Sequence, residues 1–331
     1  MDSVVGPKKS SAQRGSPCRK CGPSITCRHG KKIPPVVGIW RSLPQSAAQN
    51  AAYAPRIKTV TPINGKKLLA AFREIALLDR MRRLVVLFSI SAATLVATAS
   101  DFNSIVLDQI RAIPDGGGYA TTREAHSALN FSVAPMGDSV SIIPVRARPS
   151  YCSGATYLAL LKTLHAAEKS GRIAPLGETW SVLLPKAASD GAGIWGRWNA
   201  NGPGAARLFH ELNLGRNFTE WSEARPGDFL KIFWTDAVGK SERGHLVVFL
   251  GEEEKNGVPH VRFWSSNKPN GYGEKSVAKS KIARAIFSRL ENPDNIRNAA
   301  KLPKKDDYLA TLLRVESSFA EACRQSGITA P

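Results

Sequence analysis

The chain has 331 residues, 43% of them hydrophobic, which fits one large globular domain or two ordinary ones rather than a disordered or fibrous protein. Its formal net charge is +19, which in an even distribution would point to nucleic acid. Residues 1–99 carry +14 of it, so residues 100–331 hold only +5 and present no comparable polyanion-binding character; no nucleic-acid partner is expected.

Residues 1–80 are rich in Ser, Pro, Lys and Arg and show weak periodicity, the pattern of a disordered or mis-annotated upstream segment. Cys18, Cys21, Cys27 and His29 give a C-x2-C-x5-C-x-H spacing. With no second half-site and no apolar scaffold, it departs from zinc-finger patterns, and no metal is assigned. Residues 81–99 resemble a signal peptide. Met81-Arg82-Arg83 is a basic start, 84–99 an uncharged apolar run, and Ala97-Thr98-Ala99 a small-x-small cleavage site. The run is short of the about 20 residues a membrane span needs, so no stable span is expected after cleavage. The expected mature chain starts near Ser100 and is periplasmic or secreted. The alternatives are a buried helix or an N-terminal anchor.

Residues 101–113 predict a short helix ended by Pro114. Gly116-Gly117-Gly118-Tyr119 predicts a turn, Thr121 and Thr122 cap a second helix, and 139–146 predict a short strand. Pro149 then disfavours helix in the residue before it, Ser150 or Ser153 can cap, and Leu158, Leu161 and Leu164 recur at helical spacing. Cys152 therefore falls at the first turn of an apolar helix, where the dipole and unpaired N–H groups favour a thiolate. Its two readings are a nucleophile and a buried structural cysteine. A disulfide to Cys323 would consume the nucleophile, so those two states exclude each other.

Helix is expected around 174–190. A long loop is expected at 193–209, with Trp195, Trp198, Asn199 and Asn201 lining a groove for a polar ligand, or with the tryptophans plugging the core edge. Residues 225–267 predict three strands joined by hairpins, an antiparallel meander, with His245 opening the middle strand. Residues 276–331 read as mostly helical, with helices over 279–290 and about 306–325.

A cysteine at a helix N-terminus followed by a strand-borne histidine can bring thiol and imidazole together. Tyr151-Cys152-Ser153-Gly154 resembles the D-C-S-G helix start of NlpC-type and CHAP-type cell-wall cysteine peptidases. PGDFLKIFW (226–234) and GHLVVFLG (244–251) resemble their paired strand motifs, and FWSSN (263–267) falls where the family carries its orienting polar residue. Tyr151 stands where the family has aspartate. The resemblance covers about 149–267. It implies an α+β, papain-like fold for residues 100–331: the cysteine helix packed on an antiparallel meander or small barrel, with additional helices. It also implies hydrolysis of peptidoglycan amide bonds, without a cofactor. A non-catalytic wall-binding module and an acyltransferase are the alternatives on that fold. In this reading Cys152 is nucleophile and His245 is base. Ser265, or failing it Ser266 or Asn267, orients the ring. Tyr151, Ser153, Trp195, Trp198, Asn199, Asn201, Ser266 and Asn267 are the candidate contacts to the peptide substrate. Oligomeric state is left open.

Overall fold

The computed structural model describes residues 101–329; the upstream segment, the signal-like run and the Cys18–His29 set lie outside them. The fold is α+β, built on an antiparallel seven-stranded sheet.

The first elements are α1 (Phe102–Arg111), β1 (Gly116–Gly117), α2 (Arg123–Phe131) and the hairpin β2 (Val133–Met136)/β3 (Ser139–Ile142). The side chains of Asp101 and Thr122 accept from Asn103 N and Ala125 N, satisfying orphan donors at the starts of α1 and α2. The central helix is α3 (Cys152–Lys169). Gly154 to Leu161 are buried without a break, so this helix is enclosed on all sides. Its buried hydroxyls are satisfied within the helix: Thr156 Oγ1 donates to Cys152 O and Thr163 Oγ1 to Ala159 O.

Next come α4 (Thr179–Leu183), α5 (Gly193–Asn199), α6 (Gly204–Leu212), β4 (Gly215–Phe218), β5 (Phe229–Phe233) and β6 (Val238–Gly239). The long strands β7 (Gly244–Lys255), β8 (Val258–Asn267) and β9 (Gly271–Ala278) follow, then β10 (Arg284–Leu290), α7 (Asp307–Thr311), β11 (Glu316–Ser317) and α8 (Phe319–Gln325). The sheet order is β1-β9-β8-β7-β5-β10-β4. The meander read from the sequence is β5-β7-β8, extended by β9. The order is linear with β1 and β4 as edges, so among the described residues this sheet is open and not a closed barrel.

Both sheet faces are covered. Phe229, Val248, Trp264 and Tyr272 join the core around α3, while Leu230, Val247, Phe263 and Phe287 form a second core on the opposite face. This alternation follows from the two-residue period of a strand. Helix α3 lies against β7, β8 and α1.

The 226–228 turn ties these layers together. Asp228 is wholly buried; it accepts from Arg289 through both carboxylate oxygens, at 2.8 and 2.7 Å, and from the Asn103 side chain at 2.8 Å. Gly227 has φ +97°, and a Cβ there would lie 2.6 Å from Asn103 O, so the close approach of α1 requires glycine.

Four expectations are corrected. Residues 193–209 are not a loop: α5 and α6 run through them, too short for a visible helical period. Residues 279–290 are not an α-helix: Lys279–Lys281 form a single 3-10 turn and Arg284–Leu290 are strand. Ala285 to Leu290 are buried with side chains on both sheet faces, so the strand shows no apolar–polar alternation. The single C-terminal helix is two short ones separated by β11, which pairs with β6. Only Thr179–Leu183 of the stretch 174–190 is α-helix. Among the described residues no helix is long and apolar enough to cross a membrane.

Candidate active site

The chain entering α3 is stitched down on two sides. Ser150 N donates to Gly118 O and Ala120 N donates to Ser150 O, while Ser150 Oγ donates to Ser266 Oγ on β8 at 2.8 Å. Tyr151 is the extended cap residue and makes no side-chain capping bond; its hydroxyl meets His126 Nδ1 at 2.8 Å. Cys152 is thus held at the first helical position, where helix geometry supplies no intrahelical acceptor for its N–H.

His245 sits one residue into β7, opposite Ile232 of β5. The β7–β8 pairing aligns Val248 with Trp264, and continuing that register brings Asn267 across from His245 on the same face. His245 Nε2 lies 3.1 Å from Asn267 Oδ1. The Asn267 amide is oriented by its other end, where Nδ2 donates to Gly273 O at 2.8 Å and Ser265 O at 3.3 Å. Because Oδ1 can only accept, Nε2 carries the proton and Nδ1 is left for the thiol. Trp234 stacks beside the imidazole at 6.3 Å and Phe263 meets it edge-on at 5.7 Å, restricting the ring.

The half-buried Cys152 is a free thiol and lines one cavity together with His245. Burial pushes the thiol up. The charge and hydrogen bond of His245, the backbone N–H of Leu246 and the positive charge of Lys231 outweigh it, and the pKa is lowered to about 7. Tyr119 lines the same cavity as the sulfur. Burial, then the Cys152 charge and hydrogen bond, push that phenol up to about 12, so it remains a donor at neutral pH. A carbonyl attacked by Cys152 would therefore find donors in the Cys152 N–H and the Tyr119 hydroxyl.

The expected site is brought together in part. Cys152 and His245 line the same cavity. The Ser265 hydroxyl is buried and donates to Leu246 O at 2.8 Å, while Asn267, two residues on along the same face, is the side chain that meets the His245 ring. Ser266 points to the opposite face and is consumed by Ser150. Tyr151, Ser153, Asn199 and Asn201 line a cavity of ≈ 330 Å³ beside the thiol. Ser153 Oγ donates to Asn199 Oδ1 and Asn201 Nδ2 to Gly239 O. Trp195 is core packing against Tyr157, away from that cavity. Trp198 is 1% exposed, borders the cavity from beneath, and donates its indole N–H to Ser153 O. Cys323 is a free thiol in α8, and Cys152 is free as well.

Sequence reasoning missed Tyr119, Lys231, Glu242 and Asp190, all of which line the same cavity. Lys231 Nζ pairs with the buried Glu242 carboxylate at 2.5 Å, and Glu242 also accepts from Gly202 N. Burial raises Asp190, against an opposing hydrogen bond from Asn201 N. The one signal for this group was a lysine inside the apolar strand FLKIF. Among the described residues no group of three His, Cys, Asp or Glu side chains is placed to hold a metal ion. Comparison with family models, curated proteins and solved structures finds no match.

The geometry separates the two polar candidates experimentally. Asn267→Ala frees the imidazole to turn and removes the acceptor that sets its tautomer, so kcat falls by roughly 10- to 1,000-fold with KM little changed. Ser265→Ala loses one bond to a backbone carbonyl, an effect of about 1 kcal/mol on stability, and leaves kcat within about threefold of wild type. Steady-state kinetics and thermal melts on both variants check this.

Proposed function

We propose that this chain is an exported cysteine hydrolase with a papain-like arrangement, cleaving amide bonds in peptidoglycan peptides. The observation that carries the reading is the placing of Cys152, His245 and Asn267 about one cavity: a thiol with a lowered pKa, an imidazole lining the same cavity with Nδ1 free of Asn267, and an amide that orients the ring through Nε2. The cell-wall substrate rests on the resemblance of residues 149–267, and export on the pattern of 81–99.

The reaction follows from these roles. The Cys152 thiolate attacks the amide carbonyl carbon, and the negative oxygen is received by the Cys152 N–H and the Tyr119 hydroxyl. The His245 imidazolium gives its Nδ1 proton to the amide nitrogen, the C–N bond breaks, the amine leaves, and the acyl group remains on sulfur as a thioester. Water, deprotonated by Nδ1, attacks the thioester. The carboxylic acid departs and the thiolate–imidazolium pair is restored. Asn267 Oδ1 holds Nε2–H throughout and supports the imidazolium.

The test is incubation of the protein with stem peptides released from purified peptidoglycan, followed by mass spectrometry. The expected result is one new amine and one new carboxylate per turnover, absent with Cys152→Ala. Binding of the peptides without cleavage would replace the hydrolase with a wall-binding module. Transfer of the acyl group to an added amine in preference to water would make it an acyltransferase.

A further inference from the structure

A second cavity, of ≈ 380 Å³, also borders the His245 imidazole. It shares Tyr119, Gly244 and His245 with the first cavity but is not lined by Cys152. Its wall is aromatic and aliphatic, from Trp234, Phe263 and Val277, and its charged lining is wholly cationic: Arg243, Lys268 and Lys275. The first cavity is the electrostatic opposite, with Asp190 and Glu242 against the single Lys231.

We propose that this second cavity receives the leaving-amine half of the substrate and selects an amine component that bears a carboxylate. The inference rests on the hydrolase reading and deepens it. In acyl transfer to sulfur the acyl half stays on Cys152, so it belongs in the cavity that Cys152 lines. The departing nitrogen must take its proton from His245, so its half of the substrate passes over the imidazole. The cavity bordered by His245 and Asn267 without the thiol is therefore the leaving side.

The three cations come from separate places. Arg243 precedes β7, Lys268 follows β8, and Lys275 lies on β9 opposite Phe263. All three are exposed, and among the described residues none of them makes an ion pair; Lys268 Nζ instead lies 5.3 Å over the Tyr119 ring. Like charges gathered around one trough repel one another, and a carboxylate seated among them relieves that repulsion while accepting charge-assisted hydrogen bonds. The aromatic floor takes the apolar part of the same residue. Exposed ion pairs are individually weak, so the preference is several-fold per pair and not absolute.

The experiment measures binding of peptidoglycan stem peptides to the Cys152→Ala protein by calorimetry, using one sample with its carboxylates free and one chemically amidated. The same pair is offered to the wild-type protein for turnover. At low salt the free-carboxylate peptides are expected to bind roughly five- to tenfold more tightly. That advantage falls in 0.5 M salt and disappears in an Arg243→Gln/Lys275→Gln variant, because the cations act through solvent-screened contacts. Equal affinity for the two samples, or a preference that the double variant leaves intact, overturns the subsite. Turnover separates the two claims. Cleavage without a carboxylate preference removes the subsite and leaves the hydrolase. A carboxylate preference that the double variant abolishes, with no cleavage by the wild type, removes the hydrolase and with it the leaving-half assignment.

Discussion

Cys152→Ala is expected to lower the rate of peptide cleavage by on the order of 10,000-fold or more, and His245→Ala by a comparable factor. The loss is in kcat, because the sulfur forms the covalent bond and Nδ1 moves the proton, while the groove that binds substrate is untouched. The double variant should be no worse than Cys152→Ala alone. Nucleophile and base act as one unit, and removing the second member of a unit already broken costs nothing further. Neither change should unfold the protein. Cys152 and His245 are only partly buried, and the packing of α3 rests on Leu158, Leu161 and Leu164 deeper in the core. Kinetics paired with thermal melts check both halves. Additive losses would place the two residues in separate roles, and collapse of the melt would assign them to the core.

The largest effect on stability is expected far from the thiol. Asp228 is 0% exposed and the Arg289 side chain 7%, and they share two short hydrogen bonds. Arg289→Met removes the cation and leaves a buried carboxylate facing only the Asn103 amide and the Arg225 N–H, which costs about 3–5 kcal/mol. Replacing both residues with apolar ones of similar volume should recover much of that loss, since the desolvated charge is then gone. Urea unfolding of the single and double variants measures this. A single variant within 1 kcal/mol of wild type would mean the pair does not anchor the turn. Because that turn fixes where β5 begins and holds α1 to the sheet, activity should fall in the single variant as the site loosens.

The meander was legible because β5, β7 and β8 centre on short apolar runs between recognisable turns, and Cys152 because Pro149 and the leucine spacing mark a helix start. The sequence ranked Ser265 ahead of Asn267 as the residue that meets the imidazole, and the hydrogen bond falls to Asn267. Ser265 and Asn267 share a face of β8, so alternation does not separate them; the register with β7 decides, and it sets Asn267 against His245. Tyr119 was read only as the end of a glycine turn. It lines the cavity of Cys152 because β1 pairs with β9 and Ser150 is stitched to Gly118, long-range pairings that leave no local pattern. Lys231, Glu242 and Asp190 were missed for the same reason. Strand β10 was read as helix because Lys281, Arg284 and Ser288 punctuate its apolar residues three and four positions apart, the spacing of a helix turn.

The most direct measurement of the central claim is the pH dependence of Cys152 alkylation by iodoacetamide, which needs no substrate. Only the thiolate reacts, so the rate follows the ionised fraction. Cys323, whose pKa is raised by burial, is replaced by Ser to leave a single thiol in residues 101–329. With His245 present the half-maximal rate should fall at about pH 7. In His245→Ala the lowering charge and hydrogen bond are gone while burial still raises the thiol, so the midpoint should move upward to the ordinary value of about 8.5 or beyond. A midpoint that already lies there in the wild-type pair, or one that stays near 7 without His245, would contradict an activated Cys152–His245 nucleophile.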